Sequence, residues 1–295
     1  MHPHAWSALY TALTAYATDD LVVAAEQAVL AAQADPSSLL AQAAATYLAR
    51  AANEGKAAVY VSGEAFGAFI RGGGNLPLYA AVSAALRAAY QPAPLTLLDI
   101  GVGDGMALLP ALTSAISRVD LVEPSAAMLG RTTTELQQQG IAFRAFTLDL
   151  QTFIQRTQAR WDLVQATFSL QSLPPAERRT CLNWLAQHAP RLLIAEFDVP
   201  ELGAGVNPAR AAYFAERYEH GLAEYAQIPN GELVAQGFLM PVFFGYFDPG
   251  VARANYEQPI SAWEADLRQA GFRQIERHPL YDYWWAPAYL LEARA

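Results

Sequence analysis

The sequence predicts an α/β fold, in which helices cover both faces of a doubly wound parallel sheet. From residue 95 onward, apolar stretches of strand length alternate with stretches of helical periodicity, a pattern typical of parallel sheets. Residues 1–55 are rich in alanine and show helical spacing, which indicates a helical cap before the sheet. Residues 198–259 have a different, aromatic-rich composition and are expected to form a lid inserted into the α/β domain.

The expected elements follow the chain in order. Residues 95–100 form a continuous apolar run, as in a strand buried on both faces, and a helix is expected over 106–116. The next strand is expected at 119–123, and the helix 125–139 ends at Gly140, a residue that often terminates helices. Later strands are expected at 141–146, 161–167, 191–197, 272–280 and 288–293, with helices opening at Pro174 and covering 260–270.

The predicted domains are a helical cap at 1–90 and an α/β domain at 91–295 that contains the lid at 198–259. A connection as long as the lid is rarely without structure in a compact domain. Its aromatic side chains either line a substrate site or pack in a core, and both interpretations stay open here. They are Tyr213, Phe214, Tyr218, Tyr225, Phe238, Phe243, Phe244, Tyr246, Phe247 and Tyr256.

Composition excludes several classes of protein. The 295 residues carry a formal net charge of −9, and Lys56 is the only lysine, so the sequence lacks the electrostatic footprint of a nucleic-acid-binding protein and no nucleic-acid partner is expected, although local basic patches stay open. No apolar run approaches the roughly 20 residues that cross a bilayer, and the first residues lack the features of a secretory signal, so a cytoplasmic location is expected. With Cys181 as the single cysteine and scattered histidines, we expect neither a disulfide nor a metal site.

A glycine-rich turn precedes one of the predicted helices. Residues 71–75 read Arg-Gly-Gly-Gly-Asn, and the helix that follows has Pro77 in its first turn. Such a turn either cradles an anion with its backbone N–H groups or simply connects two helices. On the first interpretation, Asn75 and Tyr79 are candidate ligand-binding residues.

A second glycine-rich segment directly follows the first predicted strand. It reads Asp-Ile-Gly-Val-Gly-Asp-Gly over residues 99–105, with the spacing G-x-G-x-G preceded by an acid. Glycines at the carboxyl end of a parallel strand allow the main chain to approach a ligand closely. A dinucleotide fingerprint would require glycine at position 106, where Met106 stands, and this argues against a nicotinamide oxidoreductase.

The segment 99–105 resembles the first motif of the class I S-adenosylmethionine (SAM)-dependent methyltransferases, and the resemblance extends over roughly residues 95–295. It implies a seven-stranded Rossmann-like methyltransferase sheet whose last strand runs antiparallel, with SAM as cofactor. It also implies that Gly101, Gly103 and Gly105 pass under the methionine part of SAM. In the same way, Asp99 would fix the loop and orient the amino group of SAM.

Three further residues at strand ends are candidates for cofactor binding. Glu123 lies about 20 residues beyond the glycines, where an acid can bind both ribose hydroxyls, although it could also be an ordinary acid at a helix start. Asp149 corresponds to the family's adenine-contacting acid, or it caps the next helix. Thr167 ends the fourth strand, where this family's chain turns toward the active site.

Candidates for catalysis are fewer. Glu196, at the tip of the fifth strand, could bind an amine or accept a proton, or it could be a solvated strand end. His220 could act as a general base, as histidine does in several O-methylating relatives, or lie on the surface. Tyr218, in the same predicted helix, is a further candidate.

The hypothesis that follows is a SAM-dependent methyltransferase acting on a small molecule, as in secondary metabolism. The Asp/Asn-Pro-Pro-aromatic motif of nucleic-acid amino-methylating relatives is missing from the sequence. Methyl transfer depends on positioning and desolvation, so a missing general base does not argue against it. Two alternatives stay open: a SAM cyclase that releases methylthioadenosine, and a non-catalytic SAM-binding regulator. A homodimer through the N-terminal helices is also expected.

Overall fold

The computed structural model describes residues 1–56, 62–92 and 94–295. The chain forms two compact units. One, the helical unit, comprises Met1–Leu76 and Leu202–Arg253, and the other, the sheet unit, comprises Pro77–Glu201 and Ala254–Ala295. This division differs from the predicted boundary at residue 90, and it groups most of the predicted lid with the N-terminal helices.

The sheet unit contains a seven-stranded sheet in the order β3-β2-β1-β4-β5-β7-β6. The strands β1 to β5 are parallel neighbours, and β7 pairs antiparallel with both β5 and β6. The strand order reverses between β1 and β4, which is where ligands bind in open α/β sheets. The strands are β1 (Leu95–Ile100), β2 (Ile116–Val122), β3 (Phe143–Phe146), β4 (Leu163–Thr167), β5 (Arg191–Phe197), β6 (Gln274–Asp282) and β7 (Pro287–Arg294).

The expected doubly wound seven-stranded fold is confirmed, and its helices cover the sheet. β1, β5 and the helix at 260–270 have the predicted bounds, because long apolar runs and a helix end at Gly271 define them clearly. Helices α1 to α13 are numbered in chain order through both units. The helices of this unit are α5 (Asn75–Ala89), α6 (Leu108–Ala111), α7 (Ala126–Gln138), α8 (Leu150–Arg156), α9 (Pro175–His188) and α13 (Ile260–Ala270).

The predicted helix at 106–116 is wrong in extent. Only Leu108–Ala111 are helical, because Gly105 is in the left-handed region at φ +81° and the chain becomes extended at Leu112. β2 then begins at Ile116, three residues before the predicted start. The glycine loop after β1 is therefore longer than the sequence pattern indicated.

The α5 helix was predicted to close the cap, but all but its first two residues belong to the sheet unit. Ser83 donates a hydrogen bond to the carbonyl of Ala107 at 2.9 Å, beside the glycine loop. Tyr90, directly after α5, donates to Gln165 of β4 at 2.7 Å. These bonds hold the carboxyl-terminal half of α5 to the sheet.

The helical unit joins the N-terminal helices to the inserted segment. The Glu219 carboxylate accepts hydrogen bonds from Ser38 Oγ and from the backbone N–H groups of Leu39 and Leu40, at 2.7–3.0 Å. This carboxylate therefore accepts from the free backbone N–H groups at the start of the helix Leu39–Glu54, where a negative charge is also favourable for the helix dipole. The helices are α1 (Pro3–Ala17), α2 (Leu21–Ala34), α3 (Leu39–Glu54), α4 (Gly63–Ile70), α10 (Pro208–Tyr225), α11 (Gly231–Val234) and α12 (Met240–Gly245).

The inserted aromatic residues mostly form the core of this helical unit. Phe243 and Phe244 are fully buried, and Phe244 stacks on Tyr47 of α3 with ring centroids 5.1 Å apart. Phe214 and Phe247 also pack together in this core. For these side chains, core packing is the interpretation that the contacts support.

Among the described residues, no helix combines the length and hydropathy that a membrane crossing requires. α2 exposes Val22, Val29 and Leu30, with 41–62% of each residue accessible. The expected homodimer through the N-terminal helices stays a prediction.

Candidate active site

The glycine loop after β1 adopts the conformation that its sequence requires. Gly101, Gly103 and Gly105 have φ values of +68°, +57° and +81°, a region that residues with a Cβ rarely adopt. A Cβ at position 101 would lie 2.4 Å from the Cβ of Ser169, whereas a Cβ at position 103 would meet nothing within 4 Å. The loop therefore packs closely at Gly101 and leaves open space at Gly103.

Glu123 directly follows β2 and holds this loop. Its carboxylate accepts a hydrogen bond from the Gly103 N–H at 3.0 Å and one from the Ser125 N–H at 2.8 Å. Only 8% of the residue is exposed. Each carboxylate oxygen has two acceptor positions, so one on each remains for two neighbouring hydroxyl groups.

Asp99, in β1, is buried beside the loop. Gln165 lies opposite it in the β1–β4 register and donates a hydrogen bond to Asp99 Oδ2 at 2.7 Å. Burial raises the pKa of Asp99 to about 7, the Gln165 bond opposes this rise, and the Glu123 charge adds to it. At neutral pH this carboxyl group is therefore close to its titration midpoint.

Asp149 lies beside an apolar cleft at the carboxyl ends of the strands. The cleft has a volume of about 100 Å³, and Asp149 forms part of its wall. Asp149 also caps α8, because Oδ1 accepts from the Thr152 N–H at 2.6 Å. Hydrogen bonding from the Thr152 side chain, and secondly from its backbone N–H, lowers the pKa of Asp149. The capping alternative is therefore observed. The other lining residues are Ile100, Gly101, Val122, Pro124, Leu148, Leu150, Gln151, Ser169, Leu170, Ser172 and Leu173.

The end of β4 carries two features that point to a ligand. Thr167 Oγ1 is buried and has no hydrogen-bond partner within the described ranges of the chain. A buried hydroxyl without a partner costs roughly 1–3 kcal/mol, so such groups often serve a ligand. The next residue, Phe168, has φ +50°, an uncommon value for a bulky residue and one that often marks functional sites.

Sequence reasoning missed a row of aromatic rings along this edge of the sheet. Phe168 stacks on Phe197 with centroids 4.4 Å apart, and Phe197 stacks on Tyr283 at 5.4 Å. The Tyr79 ring meets Phe168 edge-on at 6.1 Å. The rings come from the ends of β4 and β5, from the β6–β7 connection and from α5, so only the strand order reveals that they meet.

Tyr79 is also close enough to the glycine loop to be influenced by its charge. Burial raises the pKa of Tyr79 to about 12, and the negative charge of Asp104 adds to the rise. The structure therefore brings Tyr79 together with the glycine loop and the end of β4.

Glu196 is buried, with 1% of its surface exposed, so the alternative of a solvated strand end is wrong. It accepts a hydrogen bond from the Gln171 N–H at 3.2 Å, and burial raises its pKa to about 8. At pH 7 this carboxyl group is therefore largely protonated. The neighbouring Asp198 instead accepts from the Ile260 N–H at 2.8 Å, at the start of α13.

The other three candidates lie in the helical unit. Asn75 is 3% exposed, and its amide donates to the Phe69 carbonyl at 2.9 Å and to the Tyr225 hydroxyl at 3.0 Å. Tyr218 is buried in the aromatic core, beside Phe243. His220 is exposed on α10. Roles for these residues in binding or catalysis stay predictions.

The glycine turn at 72–74 holds an anion that belongs to the protein itself. Glu224 Oε2 accepts from the Gly74 N–H at 2.7 Å. A Cβ at Gly73 or Gly74 would lie within 2.8–2.9 Å of the Glu224 carboxylate. The turn therefore cradles a carboxylate from α10 and connects two helices at the same time.

Within the described residues, no group of three or more His, Cys, Asp or Glu side chains is arranged to hold a metal ion.

The sequence profile of the methyltransferase-domain family matches residues 97–189, which run from within β1 to just past α9. The matched segment contains the glycine loop, Glu123, Asp149 and Thr167. This segment of the sheet unit is therefore similar to the methyltransferase-domain family. Among curated proteins, none matches this sequence.

Several solved structures are similar to this chain. Magnesium protoporphyrin IX methyltransferase from Synechocystis, crystallised with bound S-adenosylhomocysteine, is 18% identical, with 75% of this chain and 84% of that chain covered and a TM-score of 0.48. The mitomycin 7-O-methyltransferase is also 18% identical, with 96% and 68% covered and a TM-score of 0.48.

Proposed function

We propose that this enzyme transfers the methyl group of SAM to a small-molecule acceptor. The observation that carries the proposal is the arrangement at the carboxyl ends of β1 and β2. There the Gly103 N–H bonds to Glu123 while the space above Gly103 is open. A glycine turn open on one side and bounded by a carboxylate fits a ligand that has both a charged chain and a ribose.

Three neighbouring features match three parts of SAM. The apolar cleft fits a flat base, and Asp149 in its wall has a carboxylate that can accept from an exocyclic amino group. Glu123 has acceptor positions for two ribose hydroxyls. Asp99, close to the open loop, has a carboxyl group that can pair with a cationic amino group once it is ionised. When SAM is bound, its sulfonium supplies an activated methyl group.

The acceptor side is proposed to be the edge formed by the ends of β4 and β5. Thr167 offers a buried hydroxyl without a partner in the described part of the chain, and Phe168 and Phe197 offer aromatic faces. Aromatic faces stabilise a nearby cation by roughly 0.5–2 kcal/mol each and exclude water from the transfer. A net charge of −9 disfavours nucleic acid, so a small molecule is the better candidate.

The test has a binding step and a turnover step. Calorimetry should show that the protein binds SAM, and that Glu123→Gln weakens this binding about tenfold or more, since it removes a charge-assisted hydrogen bond. Glu135→Gln is the matched control, because Glu135 is exposed on α7. Absence of SAM binding by the unmodified protein would overturn the proposal.

Turnover is then measured with methyl-labelled SAM and a panel of aryl, amine and hydroxyl acceptors. Methyl transfer predicts S-adenosylhomocysteine only when an acceptor is present. Methylthioadenosine formed without an acceptor would indicate the cyclisation alternative, which none of the comparisons supports. SAM binding without turnover over the whole panel would favour a regulator.

A further inference from the structure

A chain of three buried polar side chains runs behind the glycine loop. Tyr90 follows α5, Gln165 lies within β4 and Asp99 lies within β1, and each is at most 2% exposed. Tyr90 donates from its hydroxyl to Gln165 Oε1 at 2.7 Å, and Gln165 Nε2 donates to Asp99 Oδ2 at 2.7 Å. Such buried networks are costly unless every member is satisfied, so they constrain the orientation of each group.

The direction of these hydrogen bonds depends on the charge of Asp99. An ionised carboxylate only accepts, so the Gln165 NH2 group must face Asp99 and its oxygen must face Tyr90. The Tyr90 hydroxyl must then donate, as it does here. If Asp99 is protonated, it can donate to a flipped Gln165 amide, whose NH2 group then donates to Tyr90. This row of hydrogen bonds therefore favours the ionised form of Asp99 over the protonated form only while the Tyr90 hydroxyl can donate to Gln165.

We propose that Tyr90 and Gln165 are positioning residues that hold Asp99 as an acceptor for the amino group of SAM, and that they couple cofactor binding to release of the Asp99 proton. The proposal rests on the proposed function. In this step the O–H bond of the Asp99 carboxyl group breaks, the proton passes to solvent, and the carboxylate pairs with the ammonium group.

The surroundings of Asp99 favour such coupling. Among the described residues, the titratable groups that act on Asp99 are Tyr90, from the segment after α5, and Glu123, directly after β2. Burial, the largest cause, and the negative charge of Glu123 together raise the pKa of Asp99 to about 7, against the lowering effect of the Gln165 bond. Asp99 is therefore partly protonated near neutral pH, and an ammonium group brought next to it favours loss of that proton.

The test measures SAM binding by calorimetry from pH 6 to pH 9, in pairs of buffers that differ in ionisation enthalpy. The variants are Tyr90→Phe, Asp99→Asn and the double variant, and Tyr10→Phe is the matched control, since Tyr10 is a half-buried tyrosine of α1. The amino group of SAM titrates near pH 8 by itself, so variants are compared with the unmodified protein at each pH.

We expect Tyr90→Phe to weaken SAM binding about tenfold at pH 7 but less than about twofold at pH 9. At pH 9, Asp99 is ionised whether or not the Tyr90 hydroxyl is present. More protons should be released per SAM bound than in the unmodified protein. Asp99→Asn should bind weakly at every pH, and the double variant should bind no more weakly than Asp99→Asn alone, because the two residues act through one group.

The proposal would be overturned if Tyr90→Phe lowered SAM affinity by the same factor at all pH values. It would also be overturned if the loss of affinity from Tyr90→Phe added to the loss from Asp99→Asn in the double variant. If Tyr90→Phe does not fold, Gln165→Glu serves instead. A second acid beside Asp99 should move the pH at which SAM binds upward, and an unchanged pH profile there would also overturn it. Failure of the unmodified protein to bind SAM at any pH would instead refute the proposed function.

Discussion

Replacing Gly103 with alanine separates the role of the glycine loop in ligand binding from its role in folding. Gly103 has φ +57°, so a Cβ there carries backbone strain of about 1–2 kcal/mol. The smaller conformational freedom of alanine in the unfolded chain returns roughly 0.4–1 kcal/mol. Because no atom lies within 4 Å of the new Cβ, no clash is added. The net loss in the free energy of unfolding should be about 1 kcal/mol.

The effect on SAM should be larger, because the added methyl group projects into the open space where the cofactor is proposed to lie. We expect at least a tenfold loss of SAM affinity, which corresponds to about 1.4 kcal/mol. Gly140→Ala is the matched control. Gly140 has φ +68°, and a Cβ there would also meet nothing within 4 Å. It precedes β3, however, and so lies at the amino ends of the parallel strands, whereas Gly103 lies at their carboxyl ends.

The assay pairs thermal unfolding with calorimetric titration of SAM. Both variants should lower the melting temperature by a similar amount, about 2–4 °C for a loss of 1 kcal/mol. Only Gly103→Ala should lose affinity. SAM binding by Gly103→Ala that equals binding by Gly140→Ala would refute the placement of the cofactor over this loop.

Three further predictions concern buried groups. Asp120 is fully buried, and its carboxylate accepts hydrogen bonds from Trp161 Nε1 at 2.7 Å and from Arg144. Burial raises the pKa of Asp120, but these hydrogen bonds outweigh burial and hold the pKa below its usual value. Asp120→Asn should therefore reduce stability in urea titrations by about 1–3 kcal/mol at pH 7, with a smaller difference as the pH falls through the folded-state pKa. Burial raises the pKa of Glu196 to about 8, so the folded protein binds the Glu196 proton more tightly than the unfolded protein does. The folded protein therefore loses stability as the pH rises from 5 to 9. Glu196→Gln should remove that loss, and its melting temperature relative to the unmodified protein should rise over this range. Burial raises the pKa of Cys181 to about 11, so native protein at pH 8 should resist iodoacetamide until it is unfolded; mass spectrometry that finds rapid labelling would contradict this.

The positions of the proposed cofactor-binding residues could be predicted from the sequence, because each lies at or shortly beyond the carboxyl end of a strand. Asp99 lies within β1, Glu123 directly follows β2, and Asp149 lies three residues beyond β3; these three strands are neighbours in the sheet. In a parallel sheet, all carboxyl ends lie at one edge, so residues far apart in sequence meet there without any knowledge of side-chain packing. The left-handed φ values of the three loop glycines follow from the same pattern.

The proposed acceptor side could not be predicted in this way. The stack of Phe168, Phe197 and Tyr283 depends on β7 lying beside β5, and β7 is separated from β5 by more than 80 residues. Likewise, Gln165 is an isolated polar residue in an apolar strand until the β1–β4 register places it opposite Asp99. Contacts that depend on register are fixed by the tertiary structure rather than by local periodicity.

The two glycine-rich turns show which property distinguishes a ligand loop from a structural one. Both contain glycines in the left-handed region and both give a backbone N–H to a carboxylate, Glu224 at Gly74 and Glu123 at Gly103. At Gly74 the carboxylate fills the space that a Cβ would occupy, whereas at Gly103 that space stays open. Glu224 lies 150 residues from its turn in sequence, so no local pattern could show that the first turn is already filled. Glycine content therefore indicates close backbone approach in both places. The open space at Gly103 supports a ligand there because it lies at the carboxyl ends of the parallel strands, where ligands bind in α/β sheets.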